Sequence, residues 1–107
     1  MSYVVDRSHW STMSIFDQMG NIYSEVGRTL KAKQDHDQER YELALARAID
    51  LFDATVSILV ERHSPKTKEV LRAKEEFLDV CRTADSDEIK DLDRYFMQFA
   101  IAARLTR

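Results

Sequence analysis

The sequence predicts an all-α protein, an antiparallel up-down-up-down four-helix bundle with a short N-terminal arm, and three observations carry that expectation. Apolar residues recur at spacings of three and four rather than two. Only two Gly and one Pro interrupt 107 residues. Charged residues, 33% of the chain, mix both signs along its whole length, as solvated helix faces do. The length suits one domain over residues 1–107, divided into an arm (1–10) and a bundle (11–107), and it is near the size at which oligomerisation adds useful burial.

The arm contains Tyr3, Val4, Val5 and Trp10 and is too apolar to be left in water, so it is expected to lie against the bundle. From about Ser14 to Lys33, the positions Ile15, Phe16, Met19, Ile22, Tyr23, Val26 and Leu30 fall on one face and predict the first helix. Gly20, Ser24 and Gly27 follow one edge of that stripe. Glycine inside a helix costs about 1 kcal/mol relative to alanine, so a second helix backbone is expected to come close there. The segment 33–39 is a turn in which Asp35 or Asp37 can cap the next helix, Asp35 with Gln38 having the capping-box spacing.

The second helix runs to Arg62 and spans about 36 Å at the usual rise per residue. Tyr41, Leu45, Ala48, Phe52, Thr55 and Leu59 repeat as a bundle seam, and Ala44, Leu51 and Ile58 widen the buried face enough for two neighbours. Ser64 and Pro65 predict the start of the third helix, whose inner side carries Val70, Leu71, Lys74, Phe77, Leu78 and Cys81. Lys74 interrupts this stripe and is expected to pack its stem while its ammonium reaches water. After a turn over 83–87, in which Asp85 and Glu88 have capping-box spacing, the last helix continues to Arg104. Short turns make consecutive helices antiparallel.

That last helix is greasier than one small core requires. Ile89, Leu92, Phe96, Phe99 and Ala103 form a core stripe, while Met97, Ile101 and Leu105 step by four along another face. The row lies about a third of a turn or more from the stripe at 100° per residue, so one intramolecular neighbour does not cover both. The expectation is self-association, as a homo-oligomer and most simply a dimer across a two-fold axis.

A net charge of -3 with interspersed signs provides no broad cationic field for nucleic acid. The longest apolar run, Phe52 to Val60, is broken by Asp53, Thr55 and Ser57 and falls short of the roughly 20 residues a membrane span needs. The N-terminus lacks the basic-then-apolar order of a secretory signal, and Cys81 is a lone cysteine; the chain is expected to be cytoplasmic.

Signals of catalysis are weak. His9, His36 and His63 fall in the arm and the turns, and no Glu-x-x-His pair is present, so neither a metal nor another cofactor is expected. The acids around His36 (Asp35, Asp37, Glu39) read as caps and dipole partners, and Cys81 as a buried structural thiol. No nucleophile elbow or phosphate loop occurs. HEPN-type helical ribonucleases are similar in size and architecture, but their arginine-to-histidine spacing is missing, Arg28 and His36 being separated by a turn.

Two constellations remain. Asp50-x-x-Asp53 and Glu76-x-x-Asp79 resemble the paired acidic motifs of the all-α nucleotide pyrophosphohydrolases, a resemblance that implies magnesium held against substrate phosphates. The first pair departs from that family's Glu-x-x-Glu, and all four acids point away from the apolar faces of their helices. On the first helix Gln18, Asn21, Glu25 and Arg28 form a strip able to donate and accept hydrogen bonds, a candidate surface for a protein partner or polar ligand.

The segments GNIYSEVGR (Gly20–Arg28), ARAIDLFD (Ala46–Asp53), EVLRAKEEFLDVC (Glu69–Cys81) and RYFMQFAIAAR (Arg94–Arg104) resemble a family of small prokaryotic helical proteins with no assigned activity. The resemblance implies helix boundaries and a prokaryotic cytosolic origin, and no catalytic residues. The sequence therefore reads as a non-enzymatic, self-associating binding or accessory module, with a magnesium-dependent nucleotide pyrophosphohydrolase as the alternative.

Overall fold

The computed structural model describes residues 5–106, except for the side chains of residues 100 and 102–106. Tyr3 and Val4 therefore lie outside the described residues, as do the side chains of Ala103 and Leu105. The described residues form five helices: α1 (Arg7–Ser11), α2 (Ile15–Gln34), α3 (Gln38–Glu61), α4 (Thr67–Thr83) and α5 (Ser86–Thr106). Helix α2 packs on α3 and α5, α4 also packs on α3 and α5, and the short α1 lies on α3. No strand occurs among the described residues.

Four of the five helices described start where a side chain takes up free amide groups. Asp6, Ser14 and Asp37 accept hydrogen bonds from the backbone N–H groups of His9, Asp17 and Arg40 at the starts of α1, α2 and α3. Asp37, not Asp35, is thus the cap of α3. Asp85 accepts from the amides of Asp87 and Glu88 at the start of α5, whereas the Glu88 carboxylate turns to the Thr83 hydroxyl and leaves the capping box half made. Ser64 and Pro65 do not open a helix directly. Ser64 accepts from the Lys66 amide within a turn, and α4 begins only at Thr67, without a side-chain cap.

Three helices end on a residue in the left-handed region, and none of these residues is glycine: His36 (φ 55°), His63 (φ 52°) and Ala84 (φ 54°). At His36 and His63 the amide of the next residue reaches back five residues, Asp37 to Ala32 and Ser64 to Leu59, at 2.9 Å each, so both ends are Schellman closures.

The interior is close to that read from periodicity. Met19, Ile22 and Val26 of α2 meet Ala48, Leu51, Phe52, Thr55, Ile58 and Leu59 of α3, Val70, Ala73, Phe77, Val80 and Cys81 of α4, and Leu92, Phe96 and Phe99 of α5. Phe52 stands between the rings of Phe77 and Phe96, with centroids at 5.9 and 6.3 Å. Leu71 is the exception, exposed on the outer side of α4, while Ala73 and Val80 fill the core in its place. The Lys74 stem packs and its Nζ donates to Asp53 of α3 at 2.6 Å.

The arm is a working part of the core. Val5 and Trp10 are buried, and Trp10 Nε1 donates to Thr55 Oγ1 at 2.8 Å. Thr55 Oγ1 donates to Gln18 Oε1 at 2.9 Å, and Gln18 Nε2 donates to the carbonyls of Trp10 and Met13 at 3.0 and 3.1 Å. This closed circuit ties α1, α2 and α3 together with every member satisfied. The Val5 amide also donates to Asp50 Oδ2 at 2.8 Å, and Arg7 reaches the same carboxylate at 3.6 Å.

The expectation of a close helix beside the glycines is not met. A methyl group added at Gly20 or Gly27 would meet nothing within 4 Å. The bare backbone faces open space along the flank of α2 that leads toward α5.

Candidate functional site

The sequence-derived candidates separate once they are placed on the fold. Gln18 does not belong to a solvent-facing strip: it is 1% exposed and satisfied within the arm circuit. Asn21 is exposed and donates to its own helix at the Asp17 carbonyl, 2.9 Å away. Arg28 is exposed and pairs with Glu25 Oε1 at 2.7 Å, while Glu25 keeps only 13% of its side chain exposed and its second oxygen is buried without a hydrogen-bond partner. Three of the four strip residues thus remain at or near the surface, and their polar groups are partly turned inward onto α2 itself.

The four acids of the magnesium motif are dispersed. Asp50 holds the arm through Val5 and Arg7, Asp53 is engaged by Lys74, and Asp79 pairs with Arg82 one turn along α4. Glu76 and Asp79 border a cleft of about 180 Å³ with Glu88 and Asp91, but Glu88 accepts from Thr83 and Asp91 lies 3.7 Å from Arg94. Among the described residues no three His, Cys, Asp or Glu side chains converge as metal ligands. Asp53 meets α4 through the Lys74 ammonium, and the four carboxylates form no shared donor set among the described residues.

Cys81 is buried, with the Tyr41 hydroxyl nearby. Burial pushes the thiol above its ordinary range, against the opposing influences of Tyr41 and the Lys33 ammonium, so the group is a protonated core thiol at neutral pH. Lys33 in turn sits 5.7 Å from the centre of the Tyr41 ring.

The apolar row of α5 reaches the surface. Met97 is 48% exposed and Ile101 53%, one helical turn apart; the Leu105 side chain lies outside the described residues. Leu43, Val60 and Leu71 are also exposed, but singly and on other helices. A mainly apolar cleft of about 700 Å³ lies between the C-terminal half of α2 and the start of α5, bordered by Gly27, Leu30, Ile89 and Asp93 and edged by Lys31 and Lys33. Tyr23 of α2 stacks on Phe96 and its hydroxyl donates to Asp93, so the α2 flank carrying Gly20 and Gly27 adjoins the α5 flank carrying Met97.

A second cleft, of about 350 Å³, lies on the opposite side of α5 and was not visible in the sequence. Phe16, Tyr95 and Phe99 line it together with Lys66, Glu69, Arg72 and Gln98. Burial, with the nearby charges of Glu69 and Glu76, pushes the Tyr95 hydroxyl up to about 12. Its oxygen is sealed from solvent without a hydrogen-bond partner among the described residues. The only advance signal was a tyrosine one position off the α5 core stripe.

No helix of the described residues is long and apolar enough to cross a membrane. No protein-family model, curated protein or solved structure matches the chain.

Proposed function

We propose that the protein is a non-enzymatic helical module that self-associates, as a two-fold dimer, and serves as a binding or accessory component in a prokaryotic cytoplasm. Its four long helices are read as an antiparallel up-down-up-down bundle. Short connections and the packing of α2 and α4, each on both α3 and α5, support that arrangement. The observation that carries the reading is the pair Met97 and Ile101, half exposed on one face of α5 where an isolated monomer would gain nothing from leaving them in water.

The neighbouring flank of α2 adds support. Gly20 and Gly27 weaken the helix and admit no neighbour within the monomer, which is the expected cost of a surface kept bare for a backbone from outside. A two-fold axis lets one such patch bury itself on both chains. The resemblance to small prokaryotic helical proteins supports the same kind of object. Against the magnesium reading, three of its four acids are engaged elsewhere, Asp50 by the arm, Asp53 by Lys74 and Asp79 by Arg82.

The test is Ile101→Glu followed by light scattering and circular dichroism. The variant should retain its helix content and lose assembly. A variant that stays assembled would remove the α5 row from the interface. Amide replacements at Asp50, Asp53, Glu76 and Asp79 test the discarded alternative: nucleoside triphosphate hydrolysis in the parent, abolished in these proteins, would restore it.

A further inference from the structure

We propose that the second copy crosses the face shared by α2 and α5 about a two-fold axis near Met97, so that Ile101 of each chain seats in the mouth of the other's apolar cleft. This inference rests on the self-association proposed above and assigns its register. Phe16 lies beside Phe99 and Tyr23 stacks on Phe96, with ring centroids at 6.3 and 5.3 Å, while Gly27 and Leu30 border one cleft with Ile89 and Asp93. The two helices therefore run side by side in opposite directions, and each level of one can be read against the other.

That face carries a protrusion and a hollow. Met97 and Ile101 stand half exposed on α5, and the helix continues to Thr106. On the other side of Met97, Asp93 borders the mainly apolar cleft of about 700 Å³. Ile101 lies four residues after Met97 and Asp93 four before it, about 6 Å along the helix in each direction. A two-fold axis perpendicular to α5 at Met97 exchanges those levels: it sets Ile101 over the partner's cleft, runs the last turns of α5 along it and pairs Met97 with its own copy. A two-fold axis parallel to the helices keeps every level in place, so it sets cleft against cleft and leaves both empty. Gly20 and Gly27 allow the crossing, because the space beside them is open.

Charge does not oppose pairing this face with itself. Arg28 is paired with Glu25, Lys31 with Asp35 and Arg94 with Asp91, Asp93 accepts from the Tyr23 hydroxyl, and Asp17 is engaged as well. Lys33, at the edge of the cleft, lies over the Tyr41 ring, and Lys90 is exposed beside Ile89. Occupation of the cleft is thus decided by apolar fit, which a copy of this same face provides.

The test combines two variants at positions exposed in the monomer, Ile101→Glu and Gly27→Lys, each of which should keep its helix content by circular dichroism. Each alone should weaken the dimer about tenfold or more, because it buries an unpaired charge in the contact. Mixed together, they should form a heterodimer within about tenfold of the parent affinity. The carboxylate of one chain then meets the ammonium in the other's cleft, and the opposite contact keeps its native Ile101 and Gly27. Ile101→Lys mixed with Gly27→Lys should stay apart. Native mass spectrometry resolves the species once one variant is isotope-labelled. A parent dimer whose two variants do not recombine, either variant dimerising as the parent does, or recombination with Ile101→Lys would overturn this register and leave self-association standing. A monomeric parent would overturn both.

Discussion

At the scale of single residues, the most consequential group is Thr55. Its hydroxyl stands between Trp10 Nε1 and Gln18 Oε1 in a fully buried setting. Thr55→Val keeps the shape and strands both partners, so it should destabilise by about 2–6 kcal/mol, since each buried polar group left unpaired costs about 1–3 kcal/mol. Chemical denaturation checks the value, and a loss within error of zero would show that the circuit is not under tension from the core. Periodicity placed Thr55 in the α3 seam, where it is buried, but put Gln18 on an exposed polar strip of α2, whereas its side chain is buried. What joins them is Trp10, forty-five positions from Thr55, and long-range hydrogen bonds leave no trace in local spacing. The same limit hid the Tyr95 cleft, which is assembled from α2, α4 and α5.

Tyr95 also gives the chain an alkaline signature. Its hydroxyl is pushed up to about 12 in the folded protein, above the ordinary tyrosine value, so the folded state holds its proton more tightly than the unfolded chain. Stability from this source is complete below the unfolded value of about 10 and is lost as pH rises through the folded value. Tyr23, Tyr41 and Cys81 are raised in the same direction by burial and add to the loss. Melts across that window should fall more steeply for the parent than for Tyr95→Phe; parallel curves would contradict the assignment.

At the scale of elements, the helix ends separate what sequence conveys from what it conceals. The cap of α3 was legible as one of two aspartates, because Asp before a helix has a direct mechanism, but the capping-box spacing pointed to Asp35 and the structure uses Asp37. The left-handed closures at His36, His63 and Ala84 were not legible, because glycine usually marks them and all three lack it. Ala84→Gly should therefore stabilise by about 1 kcal/mol, the order of the left-handed penalty that a Cβ incurs. The measurement is a thermal melt, and an unchanged midpoint would place the strain elsewhere. Gly27 gives the complementary case. Gly27→Ala relieves a helix-propensity cost of about 1 kcal/mol and meets no neighbour in the monomer, so the monomeric fold should gain stability.

For the molecule as a whole, the stripes on the four long helices were readable because burial imposes a period that the chain cannot disguise. The row Met97 and Ile101 was readable for the same reason, as an apolar period with no internal use. The fate of the arm was only half legible: its apolar content foretold docking, while its helical turn over Arg7–Ser11 depends on the Asp6 cap and on the α3 surface beneath it. Trp10→Ala should cost about 3–5 kcal/mol, the range for emptying a large buried aromatic site. Denaturant titration should show that loss in a single transition shared by the arm and the bundle.

The claim that unites these observations is that the exposed α5 row and the bare α2 flank meet a second copy. Its most direct measurement is the molar mass of the parent protein by light scattering through a micromolar dilution series. The account predicts twice the 12.5 kDa chain mass, falling toward one chain only on strong dilution. A folded parent that remains at the mass of one chain throughout the series would contradict it.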